Sequence, residues 1–262
     1  MLNLSELTDK VRALAIEAGD FIREERKKFH REAIEKKHAH DYVSYVDKES
    51  EKKIVTRLKE LLPEAGSIAE EGSGTLNDEQ YCWLVDPLDG TTNFIHDNAP
   101  YCVSIALRSK KELLLGVVYE ICRNECFWTY KGAPSYLNGN EIHVSAISNL
   151  DDSFIALGFP YATEEYKPMA NHLVNTLYGN VAGLRLMGAA AVELCYIAAG
   201  RFEARIEAFI GPWDIAAGTI ILQNAGGMIT DFKGGDSYSS GSQVLASNGR
   251  IHRDLLNIID NL

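Results

Sequence analysis

The chain has no apolar run approaching the roughly 20 residues that a bilayer-spanning helix needs. Its amino terminus, Met1-Leu2-Asn3-Leu4-Ser5-Glu6, also lacks the basic-then-apolar form of a secretion signal. No membrane association and a cytoplasmic location are therefore expected. Cysteine is sparse: Cys82, Cys102, Cys122, Cys126 and Cys195 are an odd number scattered through apolar surroundings, which suits reduced core thiols better than a disulfide framework. Cys122 and Cys126 have no second pair at zinc-ligand spacing after them, which argues against a zinc site. A basic stripe is missing as well. The dense stretch from Arg23 to Lys28 alternates with Glu24 and Glu25 in the manner of a solvated helix face, and the formal net charge is −11. A nucleic acid polymer is not an expected partner, because its binding face would have to replace counterions. An acidic protein that handles an anionic substrate would need a metal to reconcile the two.

There are no repeats and no low-complexity linkers, and the 46% hydrophobic and 24% charged residues are ordinary for a globular chain. At 262 residues, one domain with two halves, roughly 1–146 and 147–262, is the leading expectation. Leu7, Val11, Leu14, Ala18 and Ile22 recur at helical spacing and predict a helix over about 5–29. Ile54, Leu58 and Leu61 mark a second helix, closed by Pro63. The period then changes to short runs of β-formers near 81–85, 102–107, 113–119 and 126–130, as in a mixed or antiparallel sheet. Beyond Asn138-Gly139 the pattern predicts a strand at 154–157, helices near 165–177 and 189–199, and a strand at 202–208. A helix over 214–224, a strand from Met228, one further strand and a closing helix complete the chain. Layered α/β packing is the natural outcome.

The most informative segment is Trp83-Leu84-Val85-Asp86-Pro87-Leu88-Asp89-Gly90-Thr91-Thr92-Asn93-Phe94. An apolar strand delivers Asp86, Pro87 is expected to force a turn, and Asp89 follows three residues on, so both carboxylates can emerge on one side of the strand's end. Paired carboxylates invite a divalent cation, and oxygen-only ligands favour magnesium over zinc. The plainer alternative is an acidic turn in which Asp89 caps a helix starting at Gly90. Glu70 and Glu71 follow the apolar Ser67-Ile68 at what reads as another strand end. Asp214 opens an almost wholly apolar helix, where its plainer role is to complement the helix dipole.

Taken together, Asp-Pro-Leu-Asp-Gly-Thr-Thr-Asn-Phe, the preceding Glu70-Glu71 and the later Trp213-Asp214 resemble the signatures of the inositol monophosphatase family. The resemblance runs on through Asp41 to Asp47, Gly116 to Tyr119, Leu137-Asn138-Gly139, Gly188 to Ala191, Glu207 and Ala225-Gly226-Gly227, so it covers nearly the whole chain. It implies a layered α/β/α/β/α sandwich with mixed sheets, hydrolysis of phosphate monoesters with two or three magnesium ions, and a homodimer. Carried onto this sequence, it makes Glu70, Asp86, the backbone carbonyl of Leu88, Asp89 and Asp214 the metal ligands. Cations so held could clamp the ester phosphate and hold the attacking and leaving oxygens in line. Gly90, Thr91 and Thr92 would face the phosphate from a helix start. Glu70 and Thr91, supported by Asp47, would orient and deprotonate a water. Asp47 also precedes Lys48-Glu49-Ser50, where an aspartate is a good helix cap.

Two other nucleotide and phosphate chemistries find no support. An aspartyl-phosphate mechanism wants Asp-x-Asp-x-Thr, whereas the spacing here is Asp-x-x-Asp-x-Thr, and no Gly-x-x-x-x-Gly-Lys-Ser/Thr run exists. A metal- or phosphate-binding module without turnover stays open. Gly188, Ala189, Ala190 and Glu207 match the family positions that contact the alcohol portion. Two departures stand out: Ala189, where Thr or Ser is common, and Ala69, where glycine is usual before the glutamates. Inositol monophosphate is the leading substrate, with fructose bisphosphate, adenosine bisphosphate and the 2′-phosphate of NADP as alternatives on the same metal core.

Overall fold

Strands buried on both faces need a cover on each side, and the order of elements supplies one. The computed structural model describes residues 2–30, 34–38, 41–75, 80–110, 112–159, 163–240 and 243–260, with the side chains of 34–38, 41, 42 and 163 outside that description. The first half runs α1 (Leu4–Arg26), β1 (Ile34–His38), β2 (Asp41–Ser44), α2 (Tyr45–Leu61), β3 (Ala65–Ala69), β4 (Tyr81–Asp89), α3 (Thr91–Ile95), β5 (Cys102–Ser109), β6 (Leu113–Glu120), β7 (Glu125–Tyr130), β8 (Ser135–Leu137) and β9 (Asn140–Ile142). The second runs β10 (Phe154–Leu157), α4 (Thr163–Leu177), β11 (Gly183–Arg185), α5 (Ala190–Ala198), β12 (Ala204–Ala208), α6 (Pro212–Asn224), β13 (Met228–Thr230), β14 (Gln243–Ser247) and α7 (His252–Ile259).

Strands β3 to β9 form a seven-stranded sheet in chain order, antiparallel except for the parallel β3–β4 pair. A five-stranded mixed sheet has the order β11-β10-β12-β14-β13. The alternation of side chains along each strand sorts them into three cores. Trp83, Val85, Ile105 and Val117 meet Val11 and Ile22 of α1 and Ile54 and Leu58 of α2. Leu84, Ala106 and Val118 point the other way, onto α5 and α6, which also meet Ala156 and Ala246 of the second sheet. Ile155, Leu157, Ile206 and Leu245 face outward onto α4 and α7. The layers are therefore α/β/α/β/α, the expected fold. Helix α6 is apolar all round because sheets cover it on two sides. Its approach to β6 needs Gly116, where a Cβ would lie 2.6 Å from the Ala217 carbonyl oxygen.

Most predicted elements appear within a few residues of their expected ends. The second helix starts earlier than its apolar period showed, at Tyr45, because Ser44 and Asp47 form a capping box there. One expectation is corrected: Pro87 does not force a turn. Strand β4 continues through it to Asp89, and the register passes from Asp86↔Ser104 to Asp89↔Cys102. Three steps on β4 oppose two on β5, which is a bulge, and bulges accommodate proline inside a sheet.

Behind the second sheet, the buried His252 ring is held between Thr230 Oγ1 at 2.9 Å and Ser247 Oγ at 2.8 Å. Burial pushes its pKa down to about 4 from 6.5. The folded state thus favours the neutral ring. Its contribution to stability is complete above pH 6.5 and is lost as pH falls toward about 4. Urea midpoints measured across that window should fall less steeply for His252→Gln than for the unaltered protein; equal slopes would show that the ring does not titrate there.

Candidate active site

The acidic motif residues come from separate elements, and each is placed by a backbone feature. Strand β3 ends at Ala69 and delivers Glu70, whose amide donates to the Val85 carbonyl at 3.2 Å. The following turn is held from α2, where buried Glu51 accepts from the amides of Glu71 at 2.7 Å and Ser73 at 2.8 Å. On β4 the bulge decides the geometry. Residues three apart on a regular strand face opposite sides; the extra residue lets Asp86 and Asp89 reach the same pocket. Asp86 Oδ1 accepts from the Leu88 amide at 2.9 Å.

Asp89 does cap a helix, but not the one that begins beside it. Its Oδ1 accepts from the Ala190 amide at 3.0 Å and its Oδ2 from the Ala191 amide at 2.7 Å, so it sits on the N-terminus of α5, about a hundred residues away. Gly90 turns the chain into α3 with φ 90°, a conformation that favours glycine, and a Cβ there would lie 3.0 Å from the Pro100 carbonyl oxygen. Asp214 is the third residue of α6 and accepts from the Gly211 amide at 2.7 Å. Asp47 caps a helix and also meets a hydroxyl. Its Oδ2 accepts from the Ser44 amide at 2.8 Å and hydroxyl at 2.6 Å, while its Oδ1 accepts from Thr91 Oγ1 at 2.8 Å.

Glu70, Asp86, Leu88, Asp89 and Asp214 line one pocket of about 710 Å³. Gly90, Thr91, Thr92, Gly188, Ala190 and Glu207 line it too. Asp47 lies behind Thr91 and is fully buried, and Ala189 is buried against Gly90. The Ala190 amide is engaged by Asp89. On the far wall, buried Arg205 forms ion pairs with both Glu193 and Glu207.

So much negative charge in one buried place shifts its own equilibria. Burial first, then the charges of Glu70, Asp89 and Asp214, hold the Asp86 carboxyl well above its ordinary range. Asp89 is pushed up to about 7 by burial, against the pull of the Ala191 amide. Asp214 is likewise raised to about 7 by burial and the Asp89 charge. The donor set, four carboxylates and one carbonyl, suits a hard divalent cation. Among the described residues no three acidic, imidazole or thiol groups close up as a complete metal centre. Backbone amides hold Asp86, Asp89 and Asp214 on the pocket wall.

Comparison with known proteins agrees with this fold. The family model described as "Inositol monophosphatase family" matches residues 3–261. The chain belongs to the inositol monophosphatase family. A curated relative, the "Nus factor SuhB" of Pasteurella multocida, is 39% identical over 225 residues, which are 85% of this chain and 84% of that protein. Among solved structures, the extragenic suppressor protein suhB of Bartonella henselae is similar with a TM-score of 0.89 and 32% identity, covering 94% of this chain and 95% of the other. Inositol monophosphatase from Anabaena has the same TM-score at 30% identity, covering 100% and 98%.

Three buried charged residues in or beside the pocket went unnoticed in the sequence: Glu51, Glu193 and Arg205, each no more than 3% exposed. A signal existed for two of them. Glu193 is the lone charge in the apolar run 189–199, and Arg205 stands between Ala204 and Ile206. A charge flanked by apolar residues on a buried element needs a partner.

The crowding yields a prediction. A carboxyl whose folded pKa is raised weakens the fold as pH climbs above its unfolded value of 3.8, so a neutral replacement should relieve that cost. In chelator at pH 8, Asp86→Asn is expected to raise the urea midpoint. A lower midpoint would show that the carboxylates do not repel one another as placed.

Proposed function

We propose that the protein hydrolyses small phosphate monoesters with magnesium, and that inositol monophosphate is its leading substrate. The observation that carries this is the meeting of Glu70, Asp86, the Leu88 carbonyl, Asp89 and Asp214 around one pocket. These residues would hold the cations, whose contribution is to neutralise the ester phosphate and to lower the pKa of a bound water. Glu70 then stands as the base for that water. Thr91 assists it: with its hydroxyl proton directed at Asp47 Oδ1, its lone pairs can accept a hydrogen bond from the water. Burial raises the Asp47 pKa, so its carboxylate is a strong acceptor that keeps the Thr91 hydroxyl oriented, while the proton of the water goes to Glu70. Gly90 and Thr92 line the phosphate side, and Glu207 stands where the hydroxyl groups of the departing alcohol would lie. The product pair is inorganic phosphate and the free alcohol.

Fructose bisphosphate, adenosine bisphosphate and the NADP 2′-phosphate are the alternative substrates for the same residues, and a metal- or phosphate-binding module without turnover is the non-enzymatic alternative. A homodimer is the assembly the family resemblance favours. No helix among the described residues is long and apolar enough to cross a membrane. A relative bears the name Nus factor. For this chain, with its net charge of −11, a macromolecular partner would be another protein rather than the nucleic acid polyanion.

Phosphate release should be followed across a panel of these esters, with magnesium and with excess chelator. Turnover is expected only with the divalent cation, and full activity in chelator would end the metal reading. No release from any ester would leave the binding-module reading. Asp89→Asn should lower kcat by at least about a hundredfold, the order expected when an electrostatic partner of the transition state is lost.

The alcohol side has its own test. Charge-assisted hydrogen bonds contribute about 1.5–3 kcal/mol, so Glu207→Ala should lower kcat/KM for inositol phosphate by roughly ten- to hundredfold. A plain aryl phosphate, which offers no hydroxyls there, should be hydrolysed almost as before. Equal losses on both would place Glu207 in support of the metal site.

A further inference from the structure

Glu207 stands apart from the other carboxylates of the pocket, and its position is determined from two sides. On one side is Arg205, two residues earlier on β12 and therefore on the same face. The Arg205 guanidinium is 2% exposed and is shared between two carboxylates, with Nη2 on Glu207 Oε2 and Nε on Glu193 Oε2. Glu193 is anchored in turn: its Oε1 accepts from the amides of Met187 at 3.1 Å and Gly188 at 3.2 Å. Arg205 is thus tied to α5 and to the turn before it, and it cannot follow Glu207 if that side chain moves.

On the other side is Gly158, directly after β10, whose amide donates to the Ile206 carbonyl at 2.9 Å. A Cβ added to Gly158 would fall on the Glu207 carboxylate: the three nearest atoms are Glu207 Cδ, Oε2 and Oε1, the last at 2.6 Å. Gly158 is not among the glycines with positive φ, so the backbone alone does not require glycine here. What its bare α-carbon provides is room for a carboxylate at the pocket wall. An acceptor held in place before a ligand arrives costs less to order on binding than a mobile glutamate would.

We propose that Gly158 is a specificity-determining position, the seat that presents the Glu207 carboxylate to the hydroxyl groups of a substrate's alcohol portion, with Arg205 as the positioning residue that holds it there. The proposal rests on the phosphatase reading and deepens it. It makes the alcohol side of the pocket a rigid unit of Gly158, Glu207, Arg205 and Glu193. Substrates that place hydroxyls beside the ester, as polyol phosphates do, are the class this unit selects.

The test is Gly158→Ala, alone and combined with Glu207→Ala, assayed with magnesium on inositol phosphate and on an aryl phosphate. Thermal midpoints and a crystal structure of the single variant complete it. The three atoms nearest the added methyl all belong to the end of a flexible side chain, so Glu207 should swing away from Arg205 in the crystal while the fold is retained. The kcat/KM for the polyol ester should fall roughly ten- to hundredfold, the scale of one charge-assisted hydrogen bond. The aryl ester should be hydrolysed within about twofold of the unaltered rate, since no hydrogen bond on that side is at stake. With Glu207 already replaced by alanine, Gly158→Ala should change neither turnover nor thermal midpoint.

Equal losses on both esters, an unmoved Glu207, or an undiminished effect in the Glu207→Ala background would each overturn the proposal. If Gly158→Ala folds poorly, recovery of folding in the double variant supports the seat, and failure to recover overturns it. Inactivity of the unaltered protein on both esters would remove the phosphatase reading and the specificity claim with it. The seat itself is still read from the crystal structure and the midpoints.

Discussion

Negative charge gathered in one buried place is the constraint to which the rest of this structure answers. Asp86, Asp89 and Asp214 lie with Glu70 around a single pocket, and burial raises the pKa of each of those three aspartates. Taking carboxylates out of water is costly unless donors replace the water. The donors here are backbone amides at places where the chain leaves them spare: the N-terminus of α5 for Asp89, the first turn of α6 for Asp214, the bulge of β4 for Asp86. Arg205 is a nearby cation that eases Asp89 and Asp214. These donors offset only part of the cost, since the pKa of all three aspartates stays raised.

The layered fold follows from bringing those amides together. Helices α5 and α6 lie between the two sheets and take up apolar surface from both, so their first turns are fixed relative to the end of β4. Close contacts such as Gly116 against the Ala217 carbonyl leave α6 little freedom to slide. Asp214 consequently inherits its place from a packed core rather than from a loop, which holds its carboxylate in one geometry. Asn93 adds a polar tie of the same kind, with its amide group donating to the carbonyls of Pro100 and Met187 at 2.7 Å each. It joins the α3 end of the pocket to the turn that Glu193 anchors.

Much of this was legible in the sequence because the signals were local. The 3.6-residue spacing of Leu7, Val11, Leu14 and Ala18 is enough to specify an amphipathic helix, and runs such as 102–107 and 113–119 are enough to specify strands. Less was legible where a neighbour far along the chain supplied the deciding contact. The bulge at Pro87 depends on pairing with β5, and a proline after an aspartate reads just as well as a turn. Glu51 looks like one more charge on a solvated helix, and Glu193 and Arg205 like isolated charges, until their partners are in place.

By itself, then, the sequence determined the chemistry on offer: oxygen donors at Glu70, Asp86, Leu88, Asp89 and Asp214, in an order and spacing that match one family along residues 3–261. It determined the layers too, since binary patterning along each element states which face must be covered. Only the tertiary structure decided what each of those groups does for its neighbours. Asp89 caps α5 and not α3, Asp47 serves a helix and a hydroxyl at once, and Gly158 makes room for Glu207. The Asp47 cap is local, but the other pairings join residues 44 to 102 positions apart, 49 for Gly158 and Glu207. No local propensity reaches that far; sheet register and helix packing set them.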